Sequence, residues 1–138
     1  MNTFPLRIYE SDGIFFEGDA QSVTIPAEDG EYAVLAAHEN TVVAVEPGIL
    51  HYVTDEGELF YASVSNGMLR VEDGDVLVLV ETAERPEEID EERARRKEEE
   101  AREEMRAQKS RRDFYLAEAM LRRELARLKL LKDHGNNL

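Results

Sequence analysis

The sequence predicts an α+β chain: an N-terminal antiparallel β-sandwich of about nine or ten short strands over residues 1–84, then a C-terminal two-helix hairpin over residues 85–138. Three observations predict it. Up to about Thr82, apolar residues tend to alternate and glycine turns recur. Across Thr82 to Ala94, T-A-E-R-P-E-E-I-D-E-E-R-A, the period shifts from about 2 to about 3.6, and after Pro86 neither glycine nor proline recurs until Gly135. The charge changes with it: residues 1–84 carry 17 acidic and 2 basic side chains (Arg7 and Arg70), a net of −15, whereas residues 85–138 carry 14 and 15, a net of +1.

Taken in order, Pro5 to Glu10 alternates through Leu6 and Ile8, Ile14 to Glu17 follows a Ser11-Asp12-Gly13 turn, and Gln21 to Ile25 alternates again before Pro26. These read as three strands. Glu28-Asp29-Gly30-Glu31 is the next turn, followed by Tyr32 to Ala37 and then His38. Thr41 to Val45 is β-branched and ends at Pro47-Gly48, a tight-turn pair. Ile49 to Val53 and Leu59 to Ser65 flank Thr54-Asp55-Glu56-Gly57-Glu58, the clearest hairpin signal. Met68 to Val71 and Val76 to Glu81, set off by Asn66-Gly67 and Glu72-Asp73-Gly74-Asp75, complete the set. So many short strands cannot form one flat sheet wet on both faces, and two packed layers are the economical arrangement.

Pro86 suits a first helical turn, and Glu87, Glu88 and Asp90 suit the positive end of a helix dipole, so a helix is expected to begin there. Its apolar face is thin: Ile89, Ala94, Ala101, Met105 and Ala107. Pairs at i,i+4, Glu91 with Arg95, Glu92 with Arg96 and Glu98 with Arg102, add roughly 0.2 to 0.5 kcal/mol each. Fully burying one large aliphatic side chain contributes roughly 1.5 to 3 kcal/mol, so this helix is weakly held. Ser110, with Asp113 three residues on, is an N-cap for a second helix. Phe114, Ala117, Leu121, Leu125, Leu128 and Leu131 form its stripe, widened by Leu116 and Met120, and Gly135 ends it. The first helix offers that stripe little, so the stripe needs the β domain, another chain, or both.

Composition narrows function. Cysteine is absent, which excludes disulfides, thiolate nucleophiles and cysteine-based metal sites. The N-terminal residues lack the pattern of a secretory leader, and the densest apolar run, Val76 to Val80, is too short to span a bilayer; a soluble, cytosol-facing chain without direct membrane insertion is expected. Met105 to Leu138 carries 4 acidic and 9 basic side chains, a net of +5. A cationic arm on an acidic body is drawn to acidic protein surfaces. The acidic body and the lack of a stacking platform oppose nucleic-acid binding. His38, His51 and His134 lie at no ligand spacing, and a lone His38 reads as a packed or turn residue. No phosphate-cradling glycine loop, metal cluster or nucleophile with a placed base points to an enzyme.

The ordered set Gly30-Glu31, His38, Pro47-Gly48-Ile49, Ser65-Asn66-Gly67 with Val71, Gly74 to Ala83, and Ile89-Asp90-x-x-Arg93-Ala94 resembles the epsilon subunit of bacterial F-type ATP synthases over essentially the whole chain. Two departures stand out. The family's G-E-L-G-x-x-P-G-H-A-P is Gly30-Glu31-Tyr32-Ala33-Val34-Leu35-Ala36-Ala37-His38-Glu39-Asn40 here, and its Gly-Gly is Asn66-Gly67. Asn tolerates left-handed dihedrals, so the second turn is expected to persist.

The resemblance implies a non-catalytic rotor subunit of the central stalk, peripheral on the cytoplasmic face of the cell membrane, that couples proton-driven rotation to ATP synthesis. It implies a sandwich bound to the gamma subunit and the c-ring, with the turn Glu28, Asp29, Gly30 and Glu31 against c-ring loops. It implies a helical hairpin that folds on the sandwich or extends along the shaft to the alpha and beta catalytic subunits and inhibits ATP hydrolysis. No cofactor is required. Some members bind regulatory ATP, and the matching positions are Glu84, Asp90, Arg93, Arg123 and Arg127. Glu100, however, stands where those binders carry another arginine, and a carboxylate opposes a triphosphate. The competing reading of Asp90 and Arg93 is a capping acid and a salt-bridging base. A generic sandwich adaptor with a helical interaction arm is the alternative function.

Overall fold

The computed structural model describes residues 2–107 and 110–135. Nine strands form the first part: β1 (Phe4–Glu10), β2 (Gly13–Ala27), β3 (Gly30–Leu35), β4 (Thr41–Val45), β5 (Gly48–Thr54), β6 (Leu59–Val64), β7 (Gly67–Glu72), β8 (Asp75–Val80) and β9 (Ala83–Glu84). A single 3₁₀ turn over Pro86–Glu88 leads to α1 (Glu91–Ala107) and α2 (Arg111–His134).

The strands run in the order β4-β7-β8-β1-β2-β5-β6-β9, with β3 also on β2. Every pairing is antiparallel except β1 with β8, which lie side by side in parallel. The two strands expected at Ile14–Glu17 and Gln21–Ile25 are one, the 15-residue β2. Gly13 to Ala20 pairs with β1, whereas the stretch from Ser22 onward pairs with both β3 and β5, and the register slips between Ala20 and Ser22. A bulge there, at Gln21, lets one strand turn the corner from one layer into the other, and Gly18 and Asp19, which stay in register with Leu6 and Pro5, do not end it.

Alternation supplies the core between the layers. Leu6, Ile8, Val23, Ile25, Val34, Leu50, Leu69, Val71 and Val78 are buried together. The opposite face of β4, β7, β8 and β1 points outward, and the registers align Val42, Arg70, Leu77 and Arg7 in one row and Ala44, Met68, Leu79 and Tyr9 in the next. Val42 is 64% exposed and Leu79 39%.

Two loops depart from expectation. Asn66 does not enter the left-handed region; its amide reaches Glu46 instead. Gly67 is required for a different reason, close backbone approach: a Cβ there would meet the Leu79 carbonyl oxygen of the neighbouring strand. Ala37 does take a left-handed φ of 64°, at the loop position where the resembled family carries glycine. For an L-residue that conformation costs roughly 1–2 kcal/mol. His38 is engaged by its surroundings, with Nε2 3.1 Å from the Tyr32 hydroxyl and Nδ1 2.8 Å from the Glu39 carbonyl oxygen.

The helix expected from Pro86 begins later. Ile89 is extended at φ −81° and ψ 126°, which separates the 3₁₀ turn from α1. Asp90 then caps α1, its Oδ1 accepting from the Arg93 amide at 3.1 Å. Glu91–Arg95 and Glu98–Arg102 pair as expected, while Glu92 with Arg96 is not among the ion pairs of the described residues. Ser110 caps α2, its Oγ accepting from the Asp113 amide at 3.0 Å.

α1 and α2 form an antiparallel hairpin folded on the body, with α2 against β5 and β6. Ala94, Ala101 and Ala117 are buried, and small side chains let the two backbones approach closely. The expected stripe of α2 is only partly used: Leu125 and Leu116 are exposed, whereas Ala126 and Leu130 are buried. A helix wedged between a sheet and a second helix buries two faces, not one stripe. His134, four residues on from Leu130, stacks on Tyr61 of β6 with ring centroids 3.8 Å apart.

Candidate functional site

The residues with chemistry converge at the hinge, where β9, the 3₁₀ turn and α1 pass α2. Arg85 fixes the start of the hinge: its Nη2 donates to the Phe15 carbonyl oxygen at 2.9 Å and its guanidinium lies 4.1 Å from the Phe15 ring centroid. Its backbone amide donates to Glu88 Oε1 at 2.9 Å. The hinge is therefore anchored to β2 before the helices begin. Burial pushes the nearby Tyr52 phenol up, with Arg85 acting against it.

Beyond that anchor lies a cavity of about 510 Å³. Glu10, Asp12, Glu84, Glu88, Asp90 and Glu124 contribute carboxylates to its wall, and Arg93, Lys97 and Arg127 contribute cations. Arg127 is the centre. Its Nε donates to Glu84 Oε1 at 2.5 Å and its Nη1 to Glu124 Oε2 at 2.6 Å. Burial acts to lower the Arg127 pKa, but the hydrogen bond to Glu124 and the charges of Glu84 and Glu124 outweigh it and hold the guanidinium above its ordinary range. Glu124 is 1% exposed, and its second oxygen, Oε1, is buried without a hydrogen-bond partner among the described residues. At the edge of the cavity Glu10 accepts from the Ala83 amide at 3.2 Å. Burial pushes its carboxyl up against the pull of that amide, and Asp12, Glu88 and Glu84 push it further.

Of the five positions expected to hold nucleotide, Glu84, Asp90, Arg93 and Arg127 line this cavity. Arg123 does not, and points toward Glu81 at 3.7 Å. Glu100 is exposed on α1. As arranged, the set does not fit a triphosphate. Six carboxylates face three cations, the most buried cation already holds two carboxylates, and Asp90 is committed to its cap. The turn Glu28, Asp29, Gly30 and Glu31 lies apart and exposed where β2 passes into β3, whose first residues are Gly30 and Glu31, with Gly30 at φ 122° and Glu31 Oε2 3.4 Å from His51 Nε2.

Glu124 and Glu10 were not among the residues expected from the sequence. Glu124 had a signal: in the series Ala117, Leu121, Glu124, Leu128, Leu131 it is the charged member of an otherwise apolar 4-3-4-3 spacing. Glu10 had none, since its partner at Ala83 is remote in sequence.

Comparison with known proteins divides the chain at the same place, between the strands and the helices. Residues 3–86 match the family description "ATP synthase, Delta/Epsilon chain, beta-sandwich domain", and residues 87–132 match "ATP synthase, Delta/Epsilon chain, long alpha-helix domain". The chain is 37% identical to the ATP synthase epsilon chain of Ruminiclostridium cellulolyticum, over 93% of this chain and 95% of that one. It is 36% identical to the ATP synthase epsilon chain of Shouchella clausii, over 98% and 99%. Among solved structures, a chain of the Euglena gracilis mitochondrial ATP synthase, in a complex of OSCP, F1 and c-ring, superposes with a TM-score of 0.76 and 28% identity, covering 95% of this chain and 80% of that one.

Proposed function

The chain belongs to the delta/epsilon chain family of ATP synthase, and on that premise we propose that its sandwich is fastened to the rotor while its helical arm is a releasable brake on ATP hydrolysis. It is a non-catalytic central-stalk subunit of a membrane-associated complex. No helix among its described residues is long and apolar enough to cross a membrane.

In this reading the sandwich meets gamma through the outward face of β4, β7, β8 and β1, where Val42, Met68, Leu77 and Leu79 surround Arg7 and Arg70. Those arginines are the only cations among residues 1–84, so a partner with apolar and acidic groups suits the face. The turn Glu28 to Glu31 meets c-ring loops, and the subunit lies on the cytoplasmic face, turning with proton flow.

The observation that carries the brake is the asymmetry of attachment. α1 is held through alanines against α2, while α2 lies on β5 and β6 and reaches the body through the His134–Tyr61 stack and the ion pairs Arg127–Glu84, Arg123–Glu81 and Arg122–Glu46. Released, the +5 segment would meet acidic surfaces of the alpha and beta subunits. Truncation after Glu84 in the reassembled complex tests this: ATPase should rise while proton coupling is retained. Unchanged ATPase would refute the brake, and failure of the chain to capture isolated gamma would favour a generic adaptor.

A further inference from the structure

From the hinge geometry we infer that Glu84 and Glu124 are a built-in anionic partner of Arg127, standing where a phosphate would have to bind, so that the docked arm is locked by its own carboxylates and not by nucleotide. The inference rests on the reading of the hairpin as a releasable arm and names what holds it.

Three observations support it. The guanidinium of Arg127 is largely buried, 16% exposed, and engages one carboxylate from each side of the hinge, Glu84 on β9 and Glu124 on its own helix. The contact with Glu84 is the shortest and most buried of the ion pairs that tie α2 to the sandwich among the described residues, the others being Arg123–Glu81 and Arg122–Glu46, so releasing the arm must break it. Glu124 faces the cavity beside Ala94 and Lys97 of α1, and its Oε1 has no hydrogen-bond partner among the described residues. A buried carboxylate left half-satisfied is costly, and it persists because Arg127 neutralises it.

The charges also argue against an added anion. A triphosphate approaching Arg127 would displace both carboxylates, leave Glu124 charged and buried, and bring its own negative charge into a wall that is already net negative. Arg93 and Lys97 cannot offset this alone, and Arg123 is directed elsewhere. A buried ion pair of this kind gives specificity of position more than stability, which suits an element that must dock in one register and still leave.

Amide hydrogen exchange of the full isolated chain, with magnesium-free ATP as the probe, tests the lock without reference to ATPase. Millimolar ATP should leave exchange in α1 and α2 unchanged. Arg127→Gln should speed exchange in both helices about tenfold or more, because two carboxylates lose their cation, while β1 and β7 exchange as before and report a folded sandwich. The double variant Glu84→Gln, Glu124→Gln frees the guanidinium and should acquire a slowing of arm exchange by ATP. Protection of the unaltered chain by ATP would overturn the inference, as would wild-type exchange in Arg127→Gln. A double variant that ignores ATP would show that the carboxylates are not what excludes it. A complex whose truncation leaves ATPase unchanged would instead count against the brake and leave the lock standing.

Discussion

The sandwich and the arm solve the same problem with opposite means. Between the layers of the sandwich, large side chains such as Leu6, Ile8, Ile25, Leu50 and Leu69 are wholly removed from water. Among the described residues of the hairpin the buried set is Ala94, Ala101, Ala117, Ala126, one leucine, Leu130, and one carboxylate, Glu124. Each large aliphatic contributes roughly 1.5 to 3 kcal/mol on burial, whereas an alanine methyl contributes about 0.8 kcal/mol. Cohesion in the first region is spread over many residues, and in the second it is concentrated in a few contacts of defined geometry. The body should therefore unfold as one unit, while the arm can leave with the body intact.

The sharpest way to break this comparison is to remove one large side chain from each region. Leu50→Ala should destabilise the sandwich by about 2–5 kcal/mol, seen as a lowered global denaturation midpoint. Leu130→Ala should instead accelerate amide exchange in α2 and leave the exchange of β1 and β8 as it was. If Leu130→Ala lowered the global midpoint as much as Leu50→Ala, the two regions would be one cooperative unit.

A second test enlarges a contact. Ala101→Leu adds bulk where α1 meets its surroundings with no exposure to spare, and should weaken helix docking by about 1–3 kcal/mol, measured as loss of protection in α1. Equal protection in the variant would mean that the alanines are not what sets the helix spacing.

The body has its own weak point at Ala37. Ala37→Gly removes the left-handed strain and returns part of the gain as chain entropy, so a net stabilisation of about 0.5–1 kcal/mol is expected in thermal melts. The smallest effect concerns Glu10 at the hinge edge. Folding raises its pKa, so the stability tied to its proton is complete below the ordinary carboxylate range and is lost as pH rises through the raised value. Glu10→Gln should therefore gain slightly on the unaltered chain between about pH 4 and pH 7, and a difference that stayed constant across that range would exclude the assignment.

Alternation made most of the sandwich legible, because one face of each strand is buried and period 2 survives in Leu6 and Ile8, in Val43 and Val45, and in Val76, Val78 and Val80. The length of β2 was hidden because Gly18-Asp19 looks like punctuation, and only a second set of partners shows that the strand continues. β9, at two residues, has no period to read. In α2 the leucine stripe was visible but its use was not, because Leu130 and Ala126 are buried while Leu116 and Leu125 are exposed and Glu124 is turned to the cavity beside α1. Four of the five positions that the family resemblance pointed to do meet at one cavity, which no periodicity in the chain could have shown. What occupies Arg127 is a tertiary fact, set by how close β9 comes to α2.

The corner in β2 has a mechanical meaning. Its first half is laddered to β1 and its second half to β3 and β5, so one covalent segment is stitched into both layers. Sliding one layer past the other would require tearing two ladders at once. A body built this way should turn as a single stiff block, leaving compliance to the short run of backbone between the Arg85 anchor and Asp90.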